Sequence, residues 1–362
     1  KLFAEEWGRR ASHVPAVPAV AKSDLAPPFR AWDATQDIGA FVASLPLDQT
    51  VPAVPGVEGG AIAGRVALDD FVERRLRRYA DERNNPDNPT KNAASALSAY
   101  LHYGHLSVQE VAEAVLGETW TIREVNPKTR NKDDFFSRDA NVNSYLDELI
   151  TWRDVGYHWH WCRNAERGTR NAEFKNQSWQ SSVDPSIPHS EVVPQFNFES
   201  MDFSPGGERT PHVVLPEWAR ATIRKHAADK REHIYTLEAF EAAETHDELW
   251  NAAQRELVAT GRIHNYLRML WAKKVLEWSG SASEAYRVLE HLNNKYAIDG
   301  RDPNSYTGIL WCFGLFDRPW PPERPVFGVL RYMSSENTAR KFDLAGYYEY
   351  VRSLPTVAEV RG

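Results

Sequence analysis

Hydrophobic residues recur with helical spacing along most of this chain. The first clear example places Leu68, Phe71, Leu76 and Tyr79 on one face of a helix, with arginines on its other faces. Signals for strands are few, because no dipeptide typical of a tight hairpin separates two alternating apolar runs. The pattern therefore predicts a mainly α-helical fold, with one domain over residues 67–362.

Short motifs predict where several helices begin and end. A Ser or Thr followed three residues later by Glu is a capping box, in which the hydroxyl accepts a hydrogen bond from the backbone of the Glu. Gly261 is a typical C-terminal stop. The capping boxes are Ser107–Glu110, Thr245–Glu248 and Ser281–Glu284, and the helices predicted with them span Val108 to about Leu116, about 247–260, 263–278 and a further segment from Ser281.

Two stretches lack a helical period. Residues 1–66 are rich in Pro, Ala and Gly, which predicts an irregular linker with at most short helices. Residues at about 163–212 are polar and contain scattered Gly and Pro. Roughly 50 unpatterned residues are uncommon inside a compact domain, so we interpret the second stretch as an insertion or a mobile functional loop.

Composition limits the possible classes of protein. Of the 362 residues, 42% are hydrophobic and 26% are charged, and no run of 18 apolar residues occurs, so we expect a folded protein without a membrane span. The two cysteines exclude a disulfide framework and fit a reducing compartment, and we expect a cytoplasmic monomer. A net charge of −7 opposes non-specific attraction to nucleic acid, although a local basic face could still contact phosphates.

The common catalytic signatures are missing from the sequence. No paired-cysteine motif or His-Glu-x-x-His motif occurs, and the two-residue spacing of His158 and His160 does not suit one helical face, so we predict no metal site. Glycine-rich phosphate loops and the Gly-x-Ser-x-Gly elbow are also missing. The unusual feature is a total of 13 tryptophans, several of them in segments that are dense in Arg, Asn and Asp.

Five segments of this kind follow one another along the chain. They are Ser95–Ser107; Tyr145–Asp154; Trp250–Gln254 with Gly261–Lys274; Leu292–Tyr296 with Asp299–Asn304; and Trp311–Gly314 with Phe327–Met333. In this order they resemble class II cyclobutane-pyrimidine-dimer DNA photolyases, of the photolyase/cryptochrome superfamily. The resemblance implies an all-helical domain that binds FAD and repairs, with light, a pyrimidine dimer flipped out of DNA. It also implies an N-terminal antenna domain, of which we expect only the end within residues 1–66.

The resemblance implies a set of FAD contacts. Arg268 and Asp299 would flank the isoalloxazine, where a fixed cation stabilises the anionic reduced form, and Asn293 would face its N5 atom. A structural buried salt bridge is the alternative interpretation of the charged pair. The other implied contacts are Ser95, Ala96, Leu97 and Ser98 at the phosphates, Tyr79 and Arg153 in the cleft, and Asn265, which stands where class II members usually have Gly.

The same resemblance implies residues for substrate and electron transfer. Glu148 and Trp152 lie four positions apart on one predicted helical face and would contact the dimer, with Trp311 as a second aromatic wall. A solvated surface is the alternative for Glu148, and core packing is the alternative for the tryptophans. The remaining implied residues are Met269 at the catalytic site, Trp250, Trp271 and Trp278 in electron transfer, and Arg324 and Arg331 on DNA.

Other functions remain open from the sequence. A cryptochrome-like photoreceptor would use FAD and the same tryptophans for signalling without repair, and a light-insensitive nucleic-acid-binding module would retain the scaffold alone. Glu148, Trp152 and Trp311 favour repair, since a sensor needs no pocket for a dimer. Arg268 and Asn293 favour a bound flavin. No residue signal points specifically to (6-4) lesions.

Overall fold

The computed structural model describes residues 37–87, 89, 91–121, 125, 134–160 and 215–361. Within these ranges the secondary structure is helical, apart from an isolated antiparallel bridge between Arg324 and Gly328. The predicted mainly α-helical class is therefore confirmed. Residues 1–36 of the predicted linker and the predicted insertion at 163–212 lie outside the described residues.

The described helices fall into an N-terminal and a C-terminal group. The first group contains α1 (Ile38–Ala43), α2 (Ala61–Asp70), α3 (Tyr79–Glu82), α4 (Ser98–His102), α5 (Val108–Leu116) and α6 (Ala140–Leu146). The second contains α7 (Glu217–Lys225), α8 (Leu237–Glu241), α9 (Glu248–Thr260), α10 (Asn265–Trp278), α11 (Ala282–Tyr296), α12 (Pro303–Cys312), α13 (Ser335–Lys341), α14 (Ala345–Ser353) and α15 (Val357–Arg361).

Irregular helical turns lengthen two members of the first group. A π-helical turn at Phe71–Arg75 and a 3₁₀ turn at Leu76–Arg78 join α2 to α3. A second π-helical turn, Asp147–Trp152, continues α6, and α-helical geometry resumes over 153–160. Turns of the π type inside longer helices are frequent at functional sites, which makes the second one a place to look for function.

Each group of helices has its own hydrophobic core. Phe71 and Leu146 are fully buried in the first core, and Trp250 and Tyr286 are fully buried in the second. Burial of one such large side chain contributes about 2 kcal/mol through the apolar surface removed from water. Two separate cores therefore stabilise the two halves, and polar contacts between them matter for any site at their junction.

Polar contacts connect the two groups directly. The His102 Nδ1 atom at the end of α4 lies 3.1 Å from Asp302 Oδ2, at the N-terminus of α12. The Lys295 Nζ atom of α11 lies 3.6 Å from Asp48 Oδ2, in the chain before α2. The chain before α2 thus contacts the C-terminal group, and Val51 from the same segment packs against the second core.

Two of the predicted helix starts are confirmed. Ser107 accepts a hydrogen bond from the Glu110 backbone nitrogen at 3.0 Å, and α5 has the predicted bounds. Ser281 accepts from the Glu284 nitrogen at 3.1 Å, while Glu284 Oε2 accepts from Gly280 N at 2.7 Å. A reciprocal pair of this type satisfies backbone donors at the end of the helix.

Three predicted boundaries are wrong. Asp247, not Thr245, caps α9 and accepts from Trp250 N at 2.9 Å, because Thr245 instead hydrogen-bonds to the Asn251 side chain. The helix predicted from residue 263 begins at Asn265. Helix α2 begins at Ala61, inside the predicted linker. No sequence pattern marked its first turns, because the buried residue there is Gly64, which carries no hydrophobic signal, whereas Leu68 contacts the first core further along. A Cβ atom on this Gly64 would lie 3.0 Å from Leu106 Cγ.

Candidate functional site

The segment Ser95–Ser98 leads into α4 in an irregular conformation. Ala96 has a φ angle of 59°, a left-handed conformation that costs a non-glycine residue roughly 1 kcal/mol. Leu97 beside it is fully buried in the first core and anchors the segment. The Ser95 side chain hydrogen-bonds with the buried Tyr145 hydroxyl. The strained backbone is therefore held between two buried residues, and its position is well defined.

Ser98 connects this segment to the charged pair predicted from the sequence. Arg268 Nη2 of α10 lies 3.4 Å from Asp299 Oδ1, and the same carboxylate hydrogen-bonds with Ser98. Burial alone would raise the pKa of Asp299, but the charge of Arg268 and the hydrogen bonds from Ser98 and Arg268 outweigh it and lower the pKa. The pair is therefore ionised at neutral pH and lies where the two groups of helices meet.

Asn293 lies close to this pair on the adjacent helix. It is 5% exposed, and its Nδ2 atom donates to Asn294 Oδ1 at 3.2 Å. A Cβ atom on Gly300 would lie 2.9 Å from the Asn293 carbonyl oxygen, so glycine allows the chain after Asp299 to pass directly against α11. This close approach holds Asp299 and Asn293 within one small region.

A buried polar cluster that the sequence did not reveal adjoins Arg268. Tyr347 Oη of α14 donates to Glu256 Oε2 of α9 at 2.7 Å. The backbone nitrogen of His264 lies 3.4 Å from the same oxygen. Burial raises the pKa of Glu256 to about 7, against the opposing effects of Tyr347, His264 and Arg268. Burial also lowers the pKa of His264 to about 4.

The ring of His264 has unused hydrogen-bonding capacity. The residue is 7% exposed, and neither ring nitrogen has a hydrogen-bond partner among the described protein atoms. The backbone of Arg83 lies near the ring and opposes the effect of burial on its pKa, and a polar ligand or a water molecule would complete its hydrogen bonds. The next residue, Asn265, is exposed at the first position of α10.

Glu148 and Trp152 share the π-helical turn after α6. The Glu148 carboxylate forms an ion pair with Arg83, whose guanidinium lies 5.5 Å from the centre of the Tyr79 ring. Tyr79 itself packs edge-on against Tyr145 in the first core, and burial followed by the charge of Glu148 raises its pKa to about 12. Trp152 is 43% exposed, a large aromatic surface left open to a partner.

Trp311 lies between two cations. The Nζ atom of the fully buried Lys273 is 5.2 Å from the centre of the Trp311 ring and donates to the Cys312 carbonyl at 2.6 Å. The Arg331 guanidinium lies 5.4 Å from the same centre and 5.0 Å from that of Trp320. Such contacts fix the ring in one orientation.

The helices that carry Trp152 and Trp311 approach each other closely. A Cβ atom on Gly156 would lie 2.3 Å from Asn304 Oδ1 and 3.3 Å from Thr307 Oγ1 of α12. Gly156 is one turn after Trp152, and Thr307 is one turn before Trp311. The structure thus brings the two supporting helices together, although no ring contact joins the two indoles among the described aromatic pairs.

Trp250, Trp271 and Trp278 form one buried aromatic cluster. The Trp250 ring is stacked parallel to that of Trp271, with centroids 6.4 Å apart, and lies 6.0 Å from the Trp278 centroid in an edge orientation. Trp250 Nε1 donates to the Trp271 carbonyl at 3.0 Å, and Trp271 Nε1 donates to Gln254 Oε1 at 2.9 Å. The order in space is therefore 271, 250, 278, so the Trp250 ring of α9 lies between the two tryptophan rings of α10.

The remaining predicted residues are dispersed around these contacts. Arg153 lies 4.4 Å from the centre of the Tyr157 ring and 3.4 Å from Asp154 Oδ1, so its recorded contacts stay on its own helix. Met269 is partly buried against the second core. Arg324 is exposed and lies 4.9 Å from the centre of the Tyr332 ring.

Several site residues were missed by sequence reasoning. Arg83, Glu256 and His264 gain their importance from contacts with distant parts of the chain, and no local pattern identifies them. Lys273 carried a usable signal, because it lies three residues from both Leu270 and Leu276 and so shares a helical face with apolar side chains. A lysine on the buried side of such a helix is unusual and typically has a specific partner.

The described part of the chain shows neither a metal-binding cluster nor a membrane-spanning helix. No group of three or more His, Cys, Asp or Glu side chains there is arranged to hold a metal ion. No helix among those residues is both long and apolar enough to cross a membrane.

Comparison with known proteins identifies relatives of this chain. No protein-family model matches it. It is 37% identical over 333 residues to a deoxyribodipyrimidine photo-lyase of Oryza sativa subsp. japonica, covering 89% of this chain and 54% of the rice protein. It is 32% identical over 331 residues to one of Methanothermobacter thermautotrophicus, covering 91% and 57%.

A solved structure also resembles the chain. A bacterial class III photolyase from Agrobacterium tumefaciens aligns with a TM-score of 0.49 at 19% identity, covering 90% of this chain and 51% of that one. The assignment of the family therefore depends on the sequence relatives, of which this chain spans about half the length. That sequence similarity to proteins named deoxyribodipyrimidine photo-lyase extends over most of this chain and supports the photolyase/cryptochrome superfamily.

Proposed function

We propose that this protein is a light-driven lyase of the class II photolyase type, which repairs cyclobutane pyrimidine dimers in DNA with FAD as cofactor. The observation that carries the proposal is the meeting of Ser98, Arg268 and Asp299 at one point, in a chain that is 37% identical to a deoxyribodipyrimidine photo-lyase. The chain spans about half of that relative, so the activity, the lesion and the DNA partner are all parts of the proposal.

The side chains of this region fit a flavin dinucleotide. Ser95 would offer a hydroxyl group to its phosphates, next to Ser98, whose own hydroxyl donates to Asp299, and Arg268 would offer a positive charge to the ring carbonyl side. The Asn293 amide can donate to or accept from a ring nitrogen in either redox state. The two unpartnered ring nitrogens of His264 provide further polar contacts for a buried ligand or its ordered water.

When bound in its reduced form, FAD would absorb near-ultraviolet or blue light and supply the electron that opens the cyclobutane ring. The protein groups prepare this event. Arg268 favours an anionic ligand, because a fixed cation in a region of low dielectric stabilises negative charge. Asp299 orients Arg268, and Ser98 in turn orients Asp299.

Glu148, Trp152 and Trp311 would receive the dimer. Extruding bases from duplex DNA costs a few kcal/mol, and stacking on an aromatic wall returns about 1–3 kcal/mol per base. Glu148 would hydrogen-bond with the two joined bases of the dimer, while Arg83 holds the Glu148 carboxyl group in place. Arg331 would contact DNA phosphates at the rim of the pocket, with its orientation set by Trp311 and Trp320.

The three buried tryptophans would deliver electrons to the cofactor in the order Trp278, Trp250, Trp271. Each step joins rings with centroids about 6 Å apart. A Trp250→Phe variant should lose photoreduction of the cofactor and keep repair after chemical reduction. Loss of both would indicate that Trp250 acts through folding alone.

The proposal is tested on purified protein. The absorption spectrum should contain flavin bands, and illumination with dimer-containing DNA should restore normal bases. A Glu148→Ala variant should keep the flavin and lose most of the repair yield, whereas Glu110→Ala, which also removes one surface ion pair, should repair normally.

Each alternative outcome has a distinct meaning. Protein without flavin bands after expression with FAD would overturn the proposal. Bound flavin with no repair of any dimer would favour the cryptochrome-like photoreceptor. Unchanged repair in Glu148→Ala would remove Glu148 from the pocket.

A further inference from the structure

The buried carboxyl group of Glu256 lies beside the candidate site, and the proposed reaction makes no use of it. Glu256 of α9 is 6% exposed. Its Oε2 atom accepts a hydrogen bond from the Tyr347 hydroxyl group of α14 at 2.7 Å and lies 3.4 Å from the backbone nitrogen of His264, just before α10. Residues from three helical segments thus enclose the carboxyl group, and both hydrogen-bond donors are uncharged.

The backbone of His264 joins Glu256 to Arg268. Its nitrogen faces the Glu256 carboxyl group, and its carbonyl oxygen accepts from the backbone nitrogen of Arg268 at 2.8 Å. The Arg268 guanidinium forms its ion pair with Asp299, so its charge acts on Glu256 through space and favours the ionised form. A buried carboxylate whose hydrogen bonds come from neutral donors is costly, which favours the protonated form instead. The charge of Glu256 therefore depends on how strongly Arg268 acts on it.

The other titratable groups that face Glu256 are neutral around pH 7. On α14, burial raises the pKa of Tyr347 well above its ordinary value and that of Tyr350 to about 12. Before α10, burial lowers the pKa of His264 to about 4. The fixed charges nearby are those of Arg262, beside Tyr350, and of the ion pair between Arg268 and Asp299. A ligand bound at this ion pair is therefore the charge that can change.

We propose that Glu256 holds a proton for the flavin site, taking it up from solvent when the ligand beside Arg268 becomes anionic and releasing it when the ligand becomes neutral. The inference rests on the proposed function, since it takes this ligand to be FAD. Two electrons and one proton convert the neutral isoalloxazine to its anionic reduced form. A second proton from solvent converts the Glu256 carboxylate to the acid. Reduction thus consumes two protons for two electrons and leaves the net charge of the region unchanged.

Arg268 sets the direction of this proton uptake. Burial raises the pKa of Glu256 to about 7 while Arg268 lowers it, so an anion that offsets the charge of Arg268 moves the pKa further up. Below about pH 7 the carboxyl group is protonated with either form of the ligand, and above the raised pKa it is ionised with either form. Proton uptake is confined to the interval between these two pKa values. There the reduction potential of the flavin falls more steeply with pH than the flavin alone requires, because linkage is reciprocal.

The first test measures the midpoint potential of flavin-loaded protein against pH, by spectroelectrochemical titration. Between about pH 6 and about pH 9, the potential of the wild type should fall further than that of Glu256→Gln. Each unit by which reduction raises the pKa of Glu256 is a tenfold change in equilibrium, or about 30 mV for a two-electron couple. Glu244→Gln, at an exposed carboxylate, is the matched control and should follow the wild type.

A Tyr347→Phe variant separates proton linkage from support of the fold. It loses the hydrogen bond that favours ionised Glu256, so the steep interval of the potential should move to higher pH with its size unchanged. A residue that acted through the fold alone would shift the potential equally at every pH.

The second test needs no flavin. The carbonyl stretch of a protonated, buried carboxyl group is separate from the amide bands in the infrared spectrum, and subtraction of the Glu256→Gln spectrum assigns the part that belongs to Glu256. In Arg268→Met, which removes the charge and keeps an unbranched side chain, this band should persist to a pH about one unit higher, a tenfold change in proton affinity. In the flavin-loaded wild type at about pH 8, the band should grow on reduction.

Two results would overturn the inference. One is an equal pH dependence of the potential in wild type and Glu256→Gln, and the other is an unchanged titration of the Glu256 band in Arg268→Met. Failure of the flavin-loaded wild type to repair dimers counts against the proposed function alone, because neither the potential nor the band depends on DNA. Protein without flavin also counts against the proposed function, and the titration of Arg268→Met then decides whether Arg268 controls the proton on Glu256.

Discussion

The buried carboxyl group of Glu256 gives the sharpest prediction for stability. Its folded pKa is about 7, against an ordinary value of 4.5, because burial outweighs the hydrogen bonds from Tyr347 and His264. Between these two pH values the folded protein binds more protons than the unfolded chain. The stabilisation by protonated Glu256 is therefore complete below about pH 4.5 and is lost as the pH rises through 7.

The size of the effect follows from the shift in pKa. A shift of about 2.5 units corresponds to about 3 kcal/mol at 1.36 kcal/mol per unit. With an unfolding entropy of about 2.1 cal/mol/K per residue, a chain of 362 residues changes its melting temperature by about 4 °C for this free energy. A Glu256→Gln variant has no proton to lose, and its amide oxygen can still accept from Tyr347.

The assay is thermal unfolding of flavin-loaded wild type and Glu256→Gln between pH 4.5 and 8.5. The melting temperature of the variant, relative to the wild type, should rise by about 4 °C across this range. Glu244→Gln, a change at an exposed carboxylate, should leave the difference flat. Parallel curves for wild type and Glu256→Gln would refute the reasoning, because they would mean that Glu256 does not titrate in this interval.

Three further predictions concern other buried contacts. Burial lowers the pKa of Lys273 from 10.5 to about 8, so the contribution of Lys273 to stability should rise with pH between these values by about 3 kcal/mol, measured in denaturant titrations as the difference in unfolding free energy between wild type and Lys273→Met. The Glu241 side chain, 8% exposed, lies 3.0 Å from Lys295 Nζ and forms an ion pair with Arg361 of α15. Glu241→Ala should therefore lower the free energy of unfolding by about 3 kcal/mol and speed hydrogen exchange in α15. Unchanged exchange would mean that this ion pair does not hold α15 in place. Gly156→Ala should weaken dimer binding at an unchanged flavin spectrum, since its Cβ would meet Asn304 Oδ1, and adding Asn304→Ala should restore binding if that clash is the cause.

Helical periodicity and caps predicted much of the fold. The start of α5 at Val108 and the stop of α9 at Gly261, whose φ is 65°, depend on interactions within a few residues. The start of α2 at Ala61 could not be predicted in this way, because Gly64 makes its contact with Leu106 through the absence of a side chain. Local signals identify local structure, and this contact is a long-range one.

The candidate site shows the same limit in a different form. The resemblance pointed to Arg268 and Asp299, and their ion pair is present. It did not point to Arg83, which acts only because α3 and the turn after α6 bring it to Glu148. The spatial order of the tryptophans could not be predicted from the sequence either. The stacking of Trp250 on Trp271 depends on how α9 packs against α10 and not on their spacing in sequence.

The site has properties that neither core could provide alone. Ser98 is anchored by Leu97 in the first core, whereas Asp299 and Arg268 are positioned by helices of the second. A ligand that contacts both Ser98 and Arg268 therefore binds only when the two groups of helices have their native arrangement. Its binding free energy stabilises that arrangement. At a ligand concentration of 100 times the dissociation constant, this linkage contributes about 2.7 kcal/mol. Polar contacts such as His102–Asp302 are partly exposed, so each contributes about 1 kcal/mol or less. Under the proposed function, a bound cofactor would therefore connect the two halves more strongly than any one of these contacts, and a dimer site beside Trp311 would depend on it for its shape.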